Sequence, residues 1–401
     1  MENVVERMER LGADKIRANF RVKQQQSYEF KVRYAKLRAM EFVRMCEEHD
    51  MNYHVSVGGL DSITLFVFLH SIGIRAPGIS TSYLEDKSNQ RVHKALGIVS
   101  ISPCKRADGS YWSKSRVIQE FGFPVLSKEI ASKIELLQNP SPKNATVRHA
   151  IITGETGEYG GNRTGTRMKL SQKWLEKFGG YENENEGVNY QKPNFKVSSK
   201  CCYYLKEKPC DDWAKEHNSV PFLGLMASEG GRRQKSLMLN GCNYWSEGTK
   251  RSCPFAIFNR DDILRLALDM DAYYHEHWQE FGDVEIDSII PTIYGEIVCE
   301  GGRYRTTGAQ RTGCSMCGFG IHLEKRPHRF DRLYMDNRKE WTYLMYLCCK
   351  DADGRVFGWG DVLDYIGVEW RPEGNPLAVT QVSIFDEEKE GNEDGTESGN
   401  E

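Results

Sequence analysis

The sequence contains no run of about 18 apolar residues, the length that a membrane-spanning helix needs. Residues 1–21 are charged and have no apolar stretch, so we expect no secretory signal and a cytoplasmic protein. The net charge is only −3 over 401 residues, so the chain as a whole gives no reason to expect nucleic-acid binding. A hydrophobic share of 39% is instead typical of a soluble globular protein.

Cysteine has the most informative spacing. There are 12 cysteines, and without an export signal reduced thiols or metal ligands are favoured over disulfides. Cys201 and Cys202 are adjacent, and Cys314 and Cys317 have a Cys-x-x-Cys spacing. Four thiolates in two pairs can hold one zinc ion or a 4Fe–4S cluster. The adjacent pair favours the cluster, because neighbouring side chains can bind different irons more easily than one shared ion.

The remaining cysteines allow one alternative. Cys242 and Cys253 lie between the two pairs in the sequence, so they are candidates to replace the adjacent pair as ligands. We expect Cys210 to be a packed thiol and the pair at 348–349 to be buried in a core.

A second informative segment is a glycine turn at residues 58–62. An apolar stretch at 52–57 stops at two glycines, and an acid, a hydroxyl and a second apolar stretch at 63–74 follow. This order predicts a strand, a tight turn and a helix start. Glycine lets backbone N–H groups approach a ligand, and the helix N-terminus adds the positive end of its dipole. We therefore predict a phosphate or sulfate cradle formed by Gly58, Gly59, Leu60, Asp61 and Ser62.

Strand and helix patterns alternate over roughly 90 residues around this turn, with predicted strands at 52–57, 76–82, 98–102 and 123–126. The alternation predicts an α/β fold with an open parallel sheet and flanking helices. In such sheets ligands bind beyond the carboxyl ends of the strands, which is where the turn lies.

The predicted organisation has four parts: an N-terminal extension (1–27), a nucleotide-binding α/β domain (28–240), a cysteine-rich helical and irregular part that completes the metal site (241–380), and a disordered acidic tail (381–401). Residues 386–401 contain eight acids and one lysine, which explains the last assignment. The glycine-rich segment 154–165 is either a loop over the site or a surface insertion.

The glycine turn resembles the PP-loop of the ATP pyrophosphatase and phosphoadenosine phosphosulfate (PAPS) reductase superfamily, the adenine nucleotide alpha hydrolase-like proteins. The two cysteine pairs are similar to the cluster pattern of iron–sulfur adenylylsulfate and PAPS reductases. Residues 224–233 are similar to the family's second phosphosulfate-facing segment, and residues 311–317 to the cysteine segment of its phage and bacterial members. The motifs occur in the family's order.

The resemblance implies a reductase that releases sulfite from PAPS or adenylylsulfate, with a 4Fe–4S cluster on Cys201, Cys202, Cys314 and Cys317. It places the nucleotide's phosphates on the glycine turn, with Arg232 and Arg233 facing the sulfate or pyrophosphate. If the nucleotide is ATP, Asp61 would help to hold Mg²⁺. A thiol reductant such as thioredoxin is the implied partner.

The chain departs from the family pattern in three places. Val57 stands where the PP-loop has serine, so we expect Val57→Ser to tighten nucleotide binding and Ser56→Ala to do little. The gap between the cysteine pairs is longer than usual. The family's catalytic cysteine lies in a Glu-Cys-Gly-Leu-His segment that has no counterpart in this sequence. The most similar segment is 317–322, but its cysteine, Cys317, is already a predicted cluster ligand. The catalytic residue therefore stays unassigned.

Two alternatives remain open for this reason. One is an ATP-pyrophosphatase-type sulfurtransferase that thiolates nucleic acid, in which the basic run 325–329 with Arg332 would contact phosphates. The other is a non-catalytic, metal-stapled module that binds a nucleotide or a nucleic acid.

Overall fold

The computed structural model describes residues 12–156, 168–314, 317–351 and 353–372, without the side chains of residues 13 and 232. The predicted acidic tail and most of the glycine-rich segment 154–165 lie outside these residues. The strands are β1 (Asn52–Ser56), β2 (Gly78–Ser80), β3 (Val99–Ser100), β4 (Val125–Leu126), β5 (Ser219–Phe222), β6 (Asn243–Trp245), β7 (Lys250–Ser252), β8 (Ile297–Glu300), β9 (Arg303–Thr306), β10 (Gly318–Phe319), β11 (Cys349–Lys350) and β12 (Val356–Phe357).

Helices flank these strands throughout the described chain. The α-helices are α1 (Ala13–Gln24), α2 (Tyr28–Glu48), α3 (Leu60–Ser71), α4 (Lys87–Ala95), α5 (Lys114–Phe121), α6 (Lys128–Gln138), α7 (Ala145–Thr153), α8 (Gln172–Phe178), α9 (Asn183–Glu186), α10 (Lys200–Cys202), α11 (Lys208–Glu216), α12 (Gly231–Asn240), α13 (Arg260–His277), α14 (Arg329–Asp336), α15 (Arg338–Tyr346) and α16 (Trp359–Ile366). A π-helical turn, Tyr203–Glu207, joins α10 to α11, and 3-10 turns include Ser82–Leu84, Ala227–Glu229, Thr292–Tyr294 and Ile321–Leu323.

The main sheet has six strands in the order β3-β2-β1-β5-β7-β6. Strand β1 is central and pairs in parallel with β2 and β5, and only β6 runs antiparallel to its neighbour. This arrangement confirms the predicted α/β class with a mostly parallel sheet. No described helix is long and apolar enough to cross a membrane.

Two large hydrophobic cores and one small cluster, formed by Leu84, Trp112, Val117 and Leu205, lie on the described chain. The first surrounds the main sheet and uses side chains between residues 20 and 294, including Phe42, Leu65 and Phe222. The second combines residues 118–197 with residues 321–370 around Phe123 and Trp359. The predicted boundary at residue 240 falls inside the first unit, because β6, β7 and α13 complete the sheet and its cover.

One strand predicted for the main sheet lies elsewhere. Strand β4 pairs in parallel with β10 in a separate two-stranded sheet. Its residues Val125 and Leu126 are buried in the second core, so the apolar run that predicted a strand is satisfied there instead. A side chain at Gly318 of β10 would overlap the ring of Trp359, which explains why glycine occupies that position.

Candidate functional site

The glycine turn lies between β1 and α3, with Gly59 as the N-cap of the helix in an extended conformation. The amide of Gly58 donates to the Ser62 hydroxyl at 2.8 Å, and the amide of Leu60 donates to the Tyr294 hydroxyl at 3.0 Å. Within the described ranges, the amides of Gly59 and Asp61 have no acceptor. These two N–H groups at the helix N-terminus are therefore available to an anion.

Gly59 lies in a much narrower space than Gly58. A Cβ at Gly59 would lie 2.5 Å from the Tyr294 hydroxyl and 2.8 Å from Thr312 Oγ1, whereas a Cβ at Gly58 would have no neighbour closer than 3.6 Å. The Tyr294 and Thr312 hydroxyls are themselves 2.8 Å apart. Because Thr312 is two residues before Cys314, the turn contacts the cysteine-bearing segment directly.

Asp61 forms an ion pair that sequence reasoning missed. Arg260, the first residue of α13, places Nη1 2.6 Å from Asp61 Oδ1 and donates from Nη2 to the Gln310 carbonyl at 3.0 Å. Burial raises the pKa of Asp61, and the neighbouring guanidinium opposes that rise. The capping residues Asn259 and Asp262 mark where this helix begins, but only the fold brings its first residue to the turn.

The segment 224–233 lies beside the turn. A Cβ at Gly224 would lie 2.9 Å from the Asp61 carbonyl oxygen, so the two segments touch through their backbones. Arg233 is paired with Glu229 at 2.8 Å, and Arg311 lies 3.6 Å from the same carboxylate oxygen. The side chain of Arg232, the other predicted anion ligand, is outside the described part of the chain.

The four cysteines predicted as ligands line one cavity. Cys201 and Cys202 belong to α10, and Cys314 and Cys317 lie just before β10 with the amide of Cys317 donating to the carbonyl of Cys314 at 2.9 Å. Burial raises the pKa of all four thiols. The rest of the wall consists of Leu84, Lys114, Pro124, Leu205 and Lys206.

Cationic side chains surround this cavity. Lys114 and Lys206 line it, Lys128 contacts the Cys202 thiol, and Arg329 donates to the Cys317 carbonyl at 2.9 Å. Thiol donors surrounded by cations fit an anionic, thiolate-bound group such as an iron–sulfur cluster. Among the described residues, no three His, Cys, Asp or Glu side chains are grouped as the ligands of a single metal ion.

Lys206 connects the cavity with the turn. Its Nζ lies 2.6 Å from Glu85 Oε1, and both atoms are within 4 Å of the position of a Cβ on Gly58. On the other side, His93 Nε2 lies 2.7 Å from the Gly58 carbonyl. Burial lowers the pKa of His93, so the ring is neutral and donates from Nε2. The turn is thus bonded to His93 through its backbone and has the ammonium group of Lys206 close to Gly58.

A second cavity adjoins the first at Cys314, and Arg311, Arg329 and Arg332 line it together with Asp86 and Asp336. The predicted basic run contributes less free charge than its sequence suggests. Arg326 is paired with Asp331, Arg329 is paired with Glu324, and His328 is buried as the N-cap of α14.

The other cysteines lie away from the cavity wall or in the cores. Cys242 and Cys253, the alternative ligands, are buried in the first core, where the amide of Cys253 donates to the Cys242 carbonyl. The pair Cys348 and Cys349 is buried in the second core, which confirms that prediction. Cys210 is half-buried.

Compared with models of protein families, with curated proteins and with solved structures, the chain has no significant match. The family resemblance of the motifs therefore stays a prediction, and the functional argument rests on the geometry above.

Proposed function

We propose that the protein is an iron–sulfur enzyme of the PAPS reductase family, with the adenine nucleotide alpha hydrolase-like version of the α/β fold. It would bind a sulfonucleotide on the glycine turn and reduce its sulfate to sulfite. The observation that carries this proposal is the closeness of the turn to the four-cysteine cavity, because Lys206 lines that cavity and its ammonium group lies beside Gly58. A nucleotide on the turn would place its anionic end next to whatever the cysteines hold.

The turn would bind the nucleotide through its backbone N–H groups and through the dipole of the following helix. The amides of Gly59 and Asp61 and the N-terminus of α3 would donate to the phosphate oxygens. Lys206 would then face the sulfate, because its ammonium group lies between the turn and the cavity. Its charge would stabilise the negative charge that develops on the phosphate oxygen of the departing nucleotide as the S–O bond breaks, and a second thiol would later release the sulfur as sulfite.

Cys201, Cys202, Cys314 and Cys317 would hold the 4Fe–4S cluster. A bound cluster would supply redox and electrostatic chemistry beside the sulfate. Lys114, Lys128 and Arg329 would compensate the charge of the thiolates. The thiolate that attacks sulfur, forming an S–S bond as the S–O bond breaks, is not assigned to a residue of this chain. A thiol reductant such as thioredoxin is the proposed source of electrons.

One observation favours a second candidate, an ATP-dependent sulfurtransferase that thiolates nucleic acid. The cavity beside Cys314 is lined by Arg311, Arg329 and Arg332 together with Asp86 and Asp336, and its three guanidinium groups would contact the phosphates of a nucleic acid. A third candidate, a non-catalytic nucleotide-binding module, is supported by the missing catalytic cysteine.

Product analysis separates the three candidates. Anaerobically purified protein is incubated with PAPS or adenylylsulfate plus a dithiol, or with ATP and Mg²⁺. We expect sulfite from the sulfonucleotide. Pyrophosphate from ATP without sulfite would favour the sulfurtransferase, and nucleotide binding without either product would favour the module.

A further inference from the structure

Each of three carboxylates around the glycine turn already has a cationic partner. Asp61 is paired with Arg260 at 2.6 Å and Glu85 with Lys206 at 2.6 Å. Glu229, the third acid, is paired with a guanidinium at 2.8 Å. The negative charge that a divalent cation would need at this place is therefore compensated by the protein itself.

Contacts of its own side chain and of the helix start hold Arg260 in this position. The first turn of α13 is fixed by a buried ion pair between Lys31 and Asp262 at 2.7 Å, with only 4% and 10% of these side chains exposed. Asp261 accepts from the Tyr304 amide at 2.9 Å. The guanidinium also spans from Asp61 to the Gln310 carbonyl, so two contacts fix its plane. A metal ion that displaced this guanidinium would break both of its hydrogen bonds.

A Mg²⁺ ion does not fit this arrangement. Mg²⁺ requires near-octahedral oxygen ligands at short range and is held in nucleotide sites by one or two carboxylates with the phosphates. If Asp61 bound Mg²⁺ while it kept its bond to Arg260, two cationic centres would share one carboxylate. The role of Mg²⁺ ligand that the resemblance implied for Asp61 in the ATP case disagrees with the structure.

We propose that Arg260 takes the place of the divalent cation at the glycine turn, so that the turn binds its nucleotide without Mg²⁺. This inference rests on the proposed function, because it assumes a nucleotide on the turn. It makes Arg260 a specificity-determining residue. A sulfonucleotide such as PAPS, whose anionic groups can bind directly, fits this site, whereas ATP as its Mg²⁺ complex does not.

Calorimetric titration with PAPS, in EDTA and in millimolar Mg²⁺, tests the proposal. We expect the two affinities of the unmodified protein to agree within about twofold. Arg260→Gln should lose roughly tenfold in affinity in EDTA, which is the scale of one charge-assisted contact. Added Mg²⁺ should restore part of that loss. The matched control is Arg265→Gln. Arg265 lies on the same helix as Arg260 and forms an exposed pair with Glu29 of α2, so this variant should bind PAPS normally.

Titration with Mn²⁺ alone, followed by electron paramagnetic resonance, gives a readout without nucleotide. Only the Arg260→Gln variant should gain a Mn²⁺ site, and Asp61→Asn in addition should remove it. The proposal is overturned if the unmodified protein binds Mn²⁺ through Asp61, if Arg260→Gln gains no such site, or if Mg²⁺ tightens PAPS binding tenfold or more. Failure of every nucleotide to bind, with the Mn²⁺ results as expected, would refute the proposed function and the nucleotide part of this inference, while the exclusion of a divalent cation by Arg260 would stand.

Discussion

The two glycines of the turn have different surroundings, so equal substitutions should have unequal effects. Gly59→Ala would bring a Cβ to 2.5 Å from the Tyr294 hydroxyl, which is held by the Leu60 amide and Thr312. We expect a loss of about 1–3 kcal/mol in the free energy of unfolding, as for other overpacked sites, together with weaker nucleotide binding.

Gly58→Ala is the matched control, because its Cβ would meet only ordinary contacts at 3.6 Å or more. Urea unfolding and PAPS titration of both variants check the prediction. Equal stability of the two variants would show that Tyr294 and Thr312 do not confine the turn.

Val57 illustrates how burial changes an expectation based on sequence. The missing serine suggested that Val57→Ser would tighten nucleotide binding. In the structure, however, the Val57 side chain is buried in the first core with 4% exposure. A hydroxyl there would lack apolar contacts and be desolvated, so we now expect Val57→Ser to cost about 2–3 kcal/mol of stability without tightening binding.

Val57→Ala is the control for the lost volume, and unfolding with PAPS titration is the measurement. Tighter binding by Val57→Ser with unchanged stability would show that this side chain faces the nucleotide after all.

Sequence reasoning identified the cysteine pairs and the glycine turn because each is a local pattern. It did not identify Arg260, Tyr294 or Lys206, since each meets the turn only through the fold, from chain positions far from residue 58. An arginine at a helix start or a tyrosine in an apolar segment has many structural uses, so residue type alone gave no signal.

Two short segments, at residues 201–202 and 314–317, carry the proposed metal ligands. Substitutions can distinguish their cysteines from the two buried in the first core. We expect Cys201→Ser and Cys314→Ser to lose most of the iron, because each removes one ligand of the cavity. Cys242→Ser and Cys253→Ser, in the first core, should retain it.

Iron and sulfide analysis with the visible spectrum of the four variants checks this. If the core variants lost iron and the cavity variants kept it, the cluster would be held by the alternative ligands instead.

The four predicted strands lie within a few residues of their predicted positions, as β1 and β2 show. Only the pairing of β4 differs, because a short apolar run predicts a strand without naming its partner. Its partner β10 lies in a distant segment that contains glycine and carries only two paired residues.

At the scale of the molecule, buried histidines make stability depend on pH. Burial lowers the pKa of His54 to about 4 and that of His70 to about 4, below the value near 6.5 of an unfolded chain. The unfolded state therefore binds protons first as the pH falls. The contribution of these two histidines to stability is constant above about pH 6.5 and decreases between about pH 6.5 and 4, by about 1.4 kcal/mol per histidine at about pH 5.5.

The variant His70→Phe should remove one such contribution, because the ring packs between Phe66 and Phe281 and a phenyl group suits that place. Unfolding at about pH 7.5 and 5.5 is compared with the unmodified chain. An identical loss of stability in both proteins would show that His70 does not titrate as predicted.

The domain boundary predicted at residue 240 stays a prediction, and the chain passes between the two cores several times. Residues 118–197 belong to the second core. The chain then returns to the first core and completes the main sheet, and residues 321–370 belong to the second core again. Composition gives no signal of such a return. Cys201 and Cys202 follow one crossing, and Cys314 and Cys317 precede another, so the cavity forms where the two units meet.

The central claim is that the cysteines hold a cluster next to a nucleotide on the glycine turn. Its most direct test is the metal content and visible spectrum of anaerobically purified protein, before and after addition of PAPS. The account predicts brown protein with about four irons per chain and a spectrum that changes on nucleotide addition, because Lys206 joins the two sites. Colourless protein with stoichiometric zinc, or a cluster spectrum that PAPS leaves unchanged, would contradict it.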